Sequence, residues 1–387
     1  MLTQTFALFL DAYRELNAKK LFWITLVISC VVVAAFAIVG INSKGITLLW
    51  FEFPTIVNTS VISQSSFYKL LFSSLGVGYW INWFGIILAL VSTAGIIPDF
   101  IAGGSVDLYL SKPISRLRLF LTKYTAGLGF VGLQVAFFTV ACFILIGLRA
   151  GSWDFRMFLA IPVSLLVFSY LFSVCVLLGL LTRSTVASLL LTILFWLLIF
   201  GIDTSAMRLH ANMLAGKIES QAYENQFAYS DKELALFNER VAHDVVGAEG
   251  QLEIARKHRR ELEENFNKSN PTRQRIVFAY ALLDRTQTFL PKTGQTEEFL
   301  LRWLVIDTRS LEEKVIEERD RRRAARAGGF LSGFQNRTEV RYDDAEVIRE
   351  MDEFNESKSA TKVIGSSLLF EAIILSLTCW IFARRDY

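Results

Sequence analysis

Histidine and cysteine are scarce in this chain, with three of the first and four of the second among 387 residues. His210, His243 and His258 lack metal-ligand spacing. The last two stand fifteen positions apart with no cysteine nearby, so no zinc centre of the finger type is encoded. All three fall on charged, helical-looking stretches and are expected at the solvent. Cys30, Cys142, Cys175 and Cys379 sit inside apolar runs, where a thiol acts as a small soft apolar group. The charged part of the chain has no cysteine, which excludes a disulfide-stapled domain there. No G-x-x-x-x-G-K-[ST] pattern occurs, so the chain carries no phosphate loop of that kind. No Ser/His or paired-Asp constellation lies in the apolar runs. No catalytic residue and no metal ligand is therefore assigned.

Charge is missing too, over long distances. The runs 22–40, 79–98, 124–148, 157–181 and 185–202 contain no Asp, Glu, Lys or Arg, and a sixth, 363–383, contains only Glu371. A helix needs about 20 apolar residues to cross a bilayer. A spanning segment must also satisfy its own backbone hydrogen bonds, and these runs are continuous rather than alternating, so helices are expected and a β-barrel is not. The chain is 53% hydrophobic. The missing charge is concentrated elsewhere: residues 201–362 hold 26 of the 40 Lys/Arg and 29 of the 37 Asp/Glu.

Basic residues in short loops set orientation. With a cytoplasmic N-terminus, ten fall inside (Arg14, Lys19, Lys20, Lys112, Arg116, Arg118, Lys123, Arg183, Arg384, Arg385) and four outside (Lys44, Lys69, Arg149, Arg156). The expected fold class is therefore an all-α polytopic membrane protein with six transmembrane helices, N-in and C-in. A mainly helical, coiled-coil-like extracytoplasmic insertion lies between spans five and six. Residues 1–202 hold an amphipathic N-terminal helix and spans one to five, 203–362 the outer domain, and 363–387 the last span and its tail. Lys19 and Lys20 before a run ending in "AAFA" (34–37) mimic a signal peptide, but the long polar lead-in and five further spans favour a retained first span.

Between the spans, residues 4–20 place Phe6, Phe9, Leu10, Tyr13 and Leu16 on one helical face, as expected of a helix lying on the inner membrane surface. "ITLLWFEF" (46–53) reads as β, closed by Pro54, and 65–74 as a short interfacial helix. Residues 231–268, 272–290 and 297–326 read as three helices of the outer domain, with a bend available at Gly247 and Gly250 and a loop at 327–340.

One stretch carries a more specific signal: "GIIPDFIAGGSVDLYLSKPISRLRLFLTKYTAGLGF" (95–130). Pro98 is expected to end a span, Gly103 and Gly104 loosen the chain, and Pro113 restarts a helix at its first turn. Arg116, Arg118 and Lys123 then lead into the next span. Positive-inside decoration explains the charges but not the turn-rich element between the spans. This stretch resembles the cytoplasmic element of type-2 permeases of the ATP-binding-cassette transporters. The matching residues are Asp99, Gly103–Gly104, Leu108–Leu110, Pro113–Ile114–Ser115–Arg116 and Lys123. "LGLLTRSTVASLLL" (178–191) is similar to the family's inner turn between spans four and five, and "IGSSLLFEAIILSLTCWIFARRDY" (364–387) to its last span and tail. The family's acidic position is often Glu and is Asp99 here.

The resemblance implies a coupling helix within 99–123, with Asp99, Lys112, Pro113, Ile114, Arg116, Arg118 and Lys123 as the ATPase-coupling residues. The Arg and Lys side chains would pair with ATPase carboxylates while Ile114, Leu117 and Phe120 fill an apolar slot. It implies a separate cassette ATPase in two copies that binds ATP and magnesium, no cofactor in this chain, a homodimer of the permease, and the bacterial cytoplasmic membrane. The expected function is that of a permease subunit, as an exporter. The alternative is an ATP-driven anchor that moves an outer, partner-binding arm without passing a solute. Glu371, with Gln134 or a Ser/Thr on a neighbouring helix as bonding partner, is the candidate for the translocation pathway, because a carboxylate inside a span is a functional hypothesis by default.

Other patterns are discounted. "LPKTG" (290–294) lies about seventy residues before the last span, unlike a sorting signal. The Ser-x-x-Lys strings at 66–69 and 359–362 lack their companion motifs. "RDRRRAAR" (319–326) is interleaved with Glu and reads as a solvated helix face, with no nucleic-acid partner.

Overall fold

The computed structural model describes residues 20–55, 58–59, 62–102, 115–303 and 344–384. The amphipathic segment 4–19, the segment 103–114 with Lys112, Pro113 and Ile114, and the stretch 304–343 lie outside the described residues.

The chain divides into two compact units. The first contains the apolar helices. Helix α1 (Lys20–Ile38) runs into a three-stranded antiparallel sheet of β1 (Val39–Ile41), β2 (Gly45–Leu48) and β3 (Phe51–Pro54). The register pairs Val39 with Leu48 and Gly45 with Pro54. Gly45 has a φ of 150°, and a Cβ there would stand 2.3 Å from the Phe53 carbonyl oxygen, so the strand entry needs glycine. Helix α2 (Gln64–Ile101) absorbs both the expected interfacial helix and the expected second span in one rod. Its stretch Phe72–Gly85 is π-helical. The helical ladder is interrupted by a turn at 94–95, ahead of Pro98, which lies in the first turn of the closing short helix Ile96–Ala102 with its ring packed against Gly179.

Helix α3 (Arg116–Ala150) is capped by Ser115, whose side chain accepts from the Arg118 backbone N–H, and it ends at Gly151 in the left-handed conformation. A 3₁₀ turn (Phe155–Leu159) leads into α4 (Ala160–Thr182). Helix α5 (Thr185–Ala242) belongs to this unit as far as Phe200. The aromatic core is built where α3 and α4 meet: Tyr124 stacks on Phe172 with ring centroids 5.1 Å apart, and Phe168 stacks on Phe172 at 5.2 Å. Gly127 allows this approach, since a Cβ there would lie 2.9 Å from the Phe172 ring.

Among the described residues, five helices (α2, α3, α4, α5 and α9, below) are long and apolar enough to cross a membrane. Helix α1 is apolar but shorter, over Phe22–Ile38.

Within the stretch 203–362, residues 289–303 pack with the apolar helices rather than with the charged ones. There α7 (Thr293–Trp303) lies against α4, against the π-helical part of α2 and against α9 (Ala360–Arg384). The Lys292 N–H donates to Ser367 Oγ of α9 at 2.9 Å.

The second unit comprises residues 201–288 of α5 and α6 (Ala248–Gln287), together with α8 (Asp344–Ser357). The helix expected over 231–268 is not continuous. It breaks at 243–247, where Asp244 and Gly247 both take positive φ, and the chain doubles back as a helical hairpin. Antiparallel pairs run along it: Arg259 with Asp231 at 2.9 Å, Arg273 with Glu219 at 3.2 Å, and Gln287 Nε2 donating to Asp203 Oδ1 at 2.9 Å. Arg259 and Arg273 also lie over the rings of Phe227 and Phe266, at 4.2 and 5.1 Å. Pro271 sits inside α6, so the later part of the expected first stretch and the expected second stretch are one element up to Gln287. His210 is not at the solvent. It is 6% exposed, stacked on Phe354 of α8 at 3.9 Å and tilted against Tyr280 of α6 at 4.9 Å, because three helices rather than one exposed face surround it.

Candidate functional site

The residues on both sides of the segment 103–114 gather at one end of the helical bundle. Asp99, near the end of α2, accepts a hydrogen bond from Thr185 Oγ1, the first residue of α5, at 3.0 Å. The turn before Thr185 is tight. Arg183 takes a left-handed conformation at the end of α4, and the Ser184 side chain accepts from the Ala187 N–H at 3.3 Å. Arg116, in the first turn of α3, donates through Nη1 to the Ala383 carbonyl near the end of α9, at 3.3 Å. The three sequence stretches singled out above, 95–130, 178–191 and 364–387, therefore meet at this end.

Two expected coupling side chains have other occupations. Phe120 is 1% exposed and packs on Phe382 with centroids 5.7 Å apart, so it is core and does not reach a partner's slot. Lys123 is 6% exposed with Nζ 5.4 Å above the Phe100 ring, so it ties α3 to the end of α2 instead of facing outward. The helical period explains both, since 120, 123 and 124 share the face of α3 that meets the bundle. Leu117 stays on the surface, 49% exposed.

Glu371 lies 11 residues into α9, roughly 16 Å along its axis at 1.5 Å per residue. It is 8% exposed. Tyr124 of α3 donates to its Oε1 at 2.8 Å and Ser169 of α4 donates to its Oε2 at 2.9 Å. The carboxylate thus joins three helices through two hydroxyl donors. Of its expected partners, a serine on a neighbouring helix is present and Gln134 is not. Gln134 lines a separate cavity of about 20 Å³, together with Thr25, Ser29, Trp80 and Ser164, and its Nε2 makes no hydrogen bond.

A third polar group was not legible as a site. Helix α7 carries Glu297 and Glu298 into the apolar unit. Asn82, in the π-helical part of α2, stands beside the Glu297 carboxyl, is 1% exposed, and makes no hydrogen bond through either side-chain atom. On the same helix, Thr296 faces the Tyr170 hydroxyl of α4, which also stands beside Ser367. The only sequence signal was the polar string "TGQTEE" ahead of "FLLRW", which equally fits a surface helix.

No protein-family model, curated protein or solved structure matches this chain. Its own residues define it as a helical membrane protein, with five helices among the described residues long and apolar enough to cross the bilayer.

Proposed function

We propose that this chain is the permease subunit of an ATP-driven transporter of the cassette type, similar to the type-2 permeases. In this reading the spans are six, with both termini in the bacterial cytoplasm. The segment 99–123 is the coupling element for a separate pair of ATPases, and two copies of the chain enclose an export pathway. The observation that carries it is the convergence at one end of the bundle. The Asp99–Thr185 bond and the Arg116–Ala383 bond bring the flanks of the segment 103–114, the 182–185 turn and the end of the last helix together. A stroke applied to that segment would reach α2, α3, α5 and α9 at once. Arg116, Arg118, Arg183 and Arg384 enrich the same end in positive charge, in keeping with a cytoplasmic placement.

The test is co-purification. Arg116→Glu is expected to abolish capture of the cassette ATPase while leaving membrane insertion intact, and normal capture would refute docking there. A second reading, an ATP-driven anchor that moves an outer arm, is favoured by α5, a single helix of 58 residues that begins at Thr185 in the coupling region. ATP hydrolysis by the assembled complex in vesicles, without movement of any solute or lipid, would select that reading.

A further inference from the structure

A two-residue hairpin turn ordinarily takes Asn or Gly where its backbone needs positive φ. Between β2 and β3 the turn is Leu49–Trp50, and Leu49 holds a φ of 55°. That conformation is strained for a bulky side chain. The tip thus bears a backbone cost while presenting large apolar groups to the outside. Trp50 is 87% exposed and Phe51 69%, and Leu48, Leu49 and Phe53 are exposed as well. The register sorts the sheet into two faces, since directly paired residues share one. Val39, Leu48 and Phe51 form one row and Ile41, Ile46 and Phe53 the next, on a wholly apolar face. The opposite face carries Gly40, Thr47 and Glu52. Glu52 accepts there from Asn42 and pairs with Lys44, both at 2.9 Å.

The sheet also stands where the apolar part of the bundle ends. Strand β1 follows Ile38, the last residue of α1, without a linker. Tyr68 of α2 donates its hydroxyl to the Val39 carbonyl at 2.9 Å, and Arg149 of α3 donates through Nε to that hydroxyl at 3.0 Å. Arg149 directly follows the charge-free run 124–148, and the Lys69–Asp154 ion pair lies at the same end of α3. We propose that the β2–β3 hairpin is a lipid-binding device. Leu49, Trp50 and Phe51 insert into the boundary between phospholipid headgroups and acyl chains, at the end of the bundle opposite Arg116. Tryptophan suits that depth, because its indole is apolar with a single N–H to satisfy. The occupant is phospholipid rather than a second copy of the chain. A partner strand would have to add to an edge such as β3, which has four residues and ends in Pro54, a residue with no N–H to give. Lipid needs no backbone partner, only apolar side chains at its own level. The proposal rests on the membrane class of the fold alone and requires no ATPase.

The experiment reads the emission of Trp50 in the purified full chain in lipid nanodiscs, as the difference between the wild type and Trp50→Phe. Phospholipid brominated near the headgroup end of its acyl chains is expected to quench most of that difference emission, and aqueous iodide to leave it almost unchanged. Quenching by iodide and not by the brominated lipid puts the tip in water and overturns the proposal. Protection from both quenchers puts protein over the tip, such as a second copy of the chain, and overturns it equally. Should Trp50→Phe fail to fold, photolabelling of the wild-type chain decides. A phospholipid with a carbene precursor near the headgroup end of its acyl chain is expected to label Leu49, Trp50 and Phe51, as it labels the exposed Leu148 at the same end of α3. Labelling of Leu148 with none on the tip refutes the proposal.

Discussion

Tyr124 on α3 donates its phenolic proton to Glu371 on α9 at 2.8 Å, across 247 residues of sequence. Ser169 of α4 supplies the second donor, so the carboxylate is a three-helix tie as well as an intramembrane charge. The two roles separate by substitution. Glu371→Gln keeps one acceptor oxygen and the shape, whereas Glu371→Leu removes both acceptors and leaves each hydroxyl only a backbone alternative, Tyr124 to the Ser169 carbonyl at 3.2 Å and Ser169 to the Leu166 carbonyl at 2.9 Å. Losing a hydrogen bond costs about 0.5–1.5 kcal/mol, and here the tie of α9 to α3 and α4 goes with both bonds. Glu371→Leu is therefore expected to lower the melting temperature of the full chain in detergent clearly, and Glu371→Gln only slightly. If Glu371→Gln nevertheless reduces ATP-driven transport more than it reduces expression, the charge itself works in the pathway. An equal fall in both assigns it to structure alone.

The second unit carries a pH dependence of its own. His210 lies beyond the apolar stretch 185–202, enclosed by Phe354 and Tyr280. Burial lowers its pKa below the ordinary 6.5, and Lys358 lowers it further against a smaller opposing pull from Asp284. The unfolded chain then binds a proton more readily than the folded one. Stability contributed at this site is present above about pH 6.5 and is lost as the pH falls towards the folded value. His210→Leu is expected to flatten that acid limb in melts followed by far-ultraviolet circular dichroism. An unchanged limb would place the titrating group elsewhere.

The contrast between these positions explains what the sequence made legible. Uninterrupted apolar runs announce membrane helices directly, because the bilayer demands length and low charge from each segment alone. The β reading of 46–53 followed from local chemistry too, with Pro54 closing β3 as expected, but the turn at Leu49 and Trp50 that folds it into the antiparallel pair β2–β3 was not read. What stayed hidden depends on partners distant in sequence. His210 sits in a charged stretch and is buried only because α6 and α8 fold against it. The Glu297–Glu298 pair makes α7 read as solvated until its packing on α4 and α9 is known. The break at 243–247 was readable only as a bend, since helical periodicity resumes after Gly247 and gives no sign that the two arms pair. At the coupling end, the basic residues of α3 were legible as a group, but the helical face that buries Phe120 and Lys123 while exposing Leu117 was not.

Gln134 offers the sharpest separation of pathway from packing. Its Nε2 is buried without a partner in a cavity of about 20 Å³ that also borders the unpaired Ser164 hydroxyl. If Gln134 serves only the packing, Gln134→Leu removes an unsatisfied group from the bundle. Stability should then be unchanged or higher, because replacing an unpaired polar group by an apolar one of similar size is often neutral to favourable. If Gln134 belongs to the translocation pathway, the same variant should fold and melt normally yet lose transport. Parallel measurement of melting temperature and ATP-driven flux distinguishes the two. A variant that is as stable as the parent and fully active removes Gln134 from the pathway.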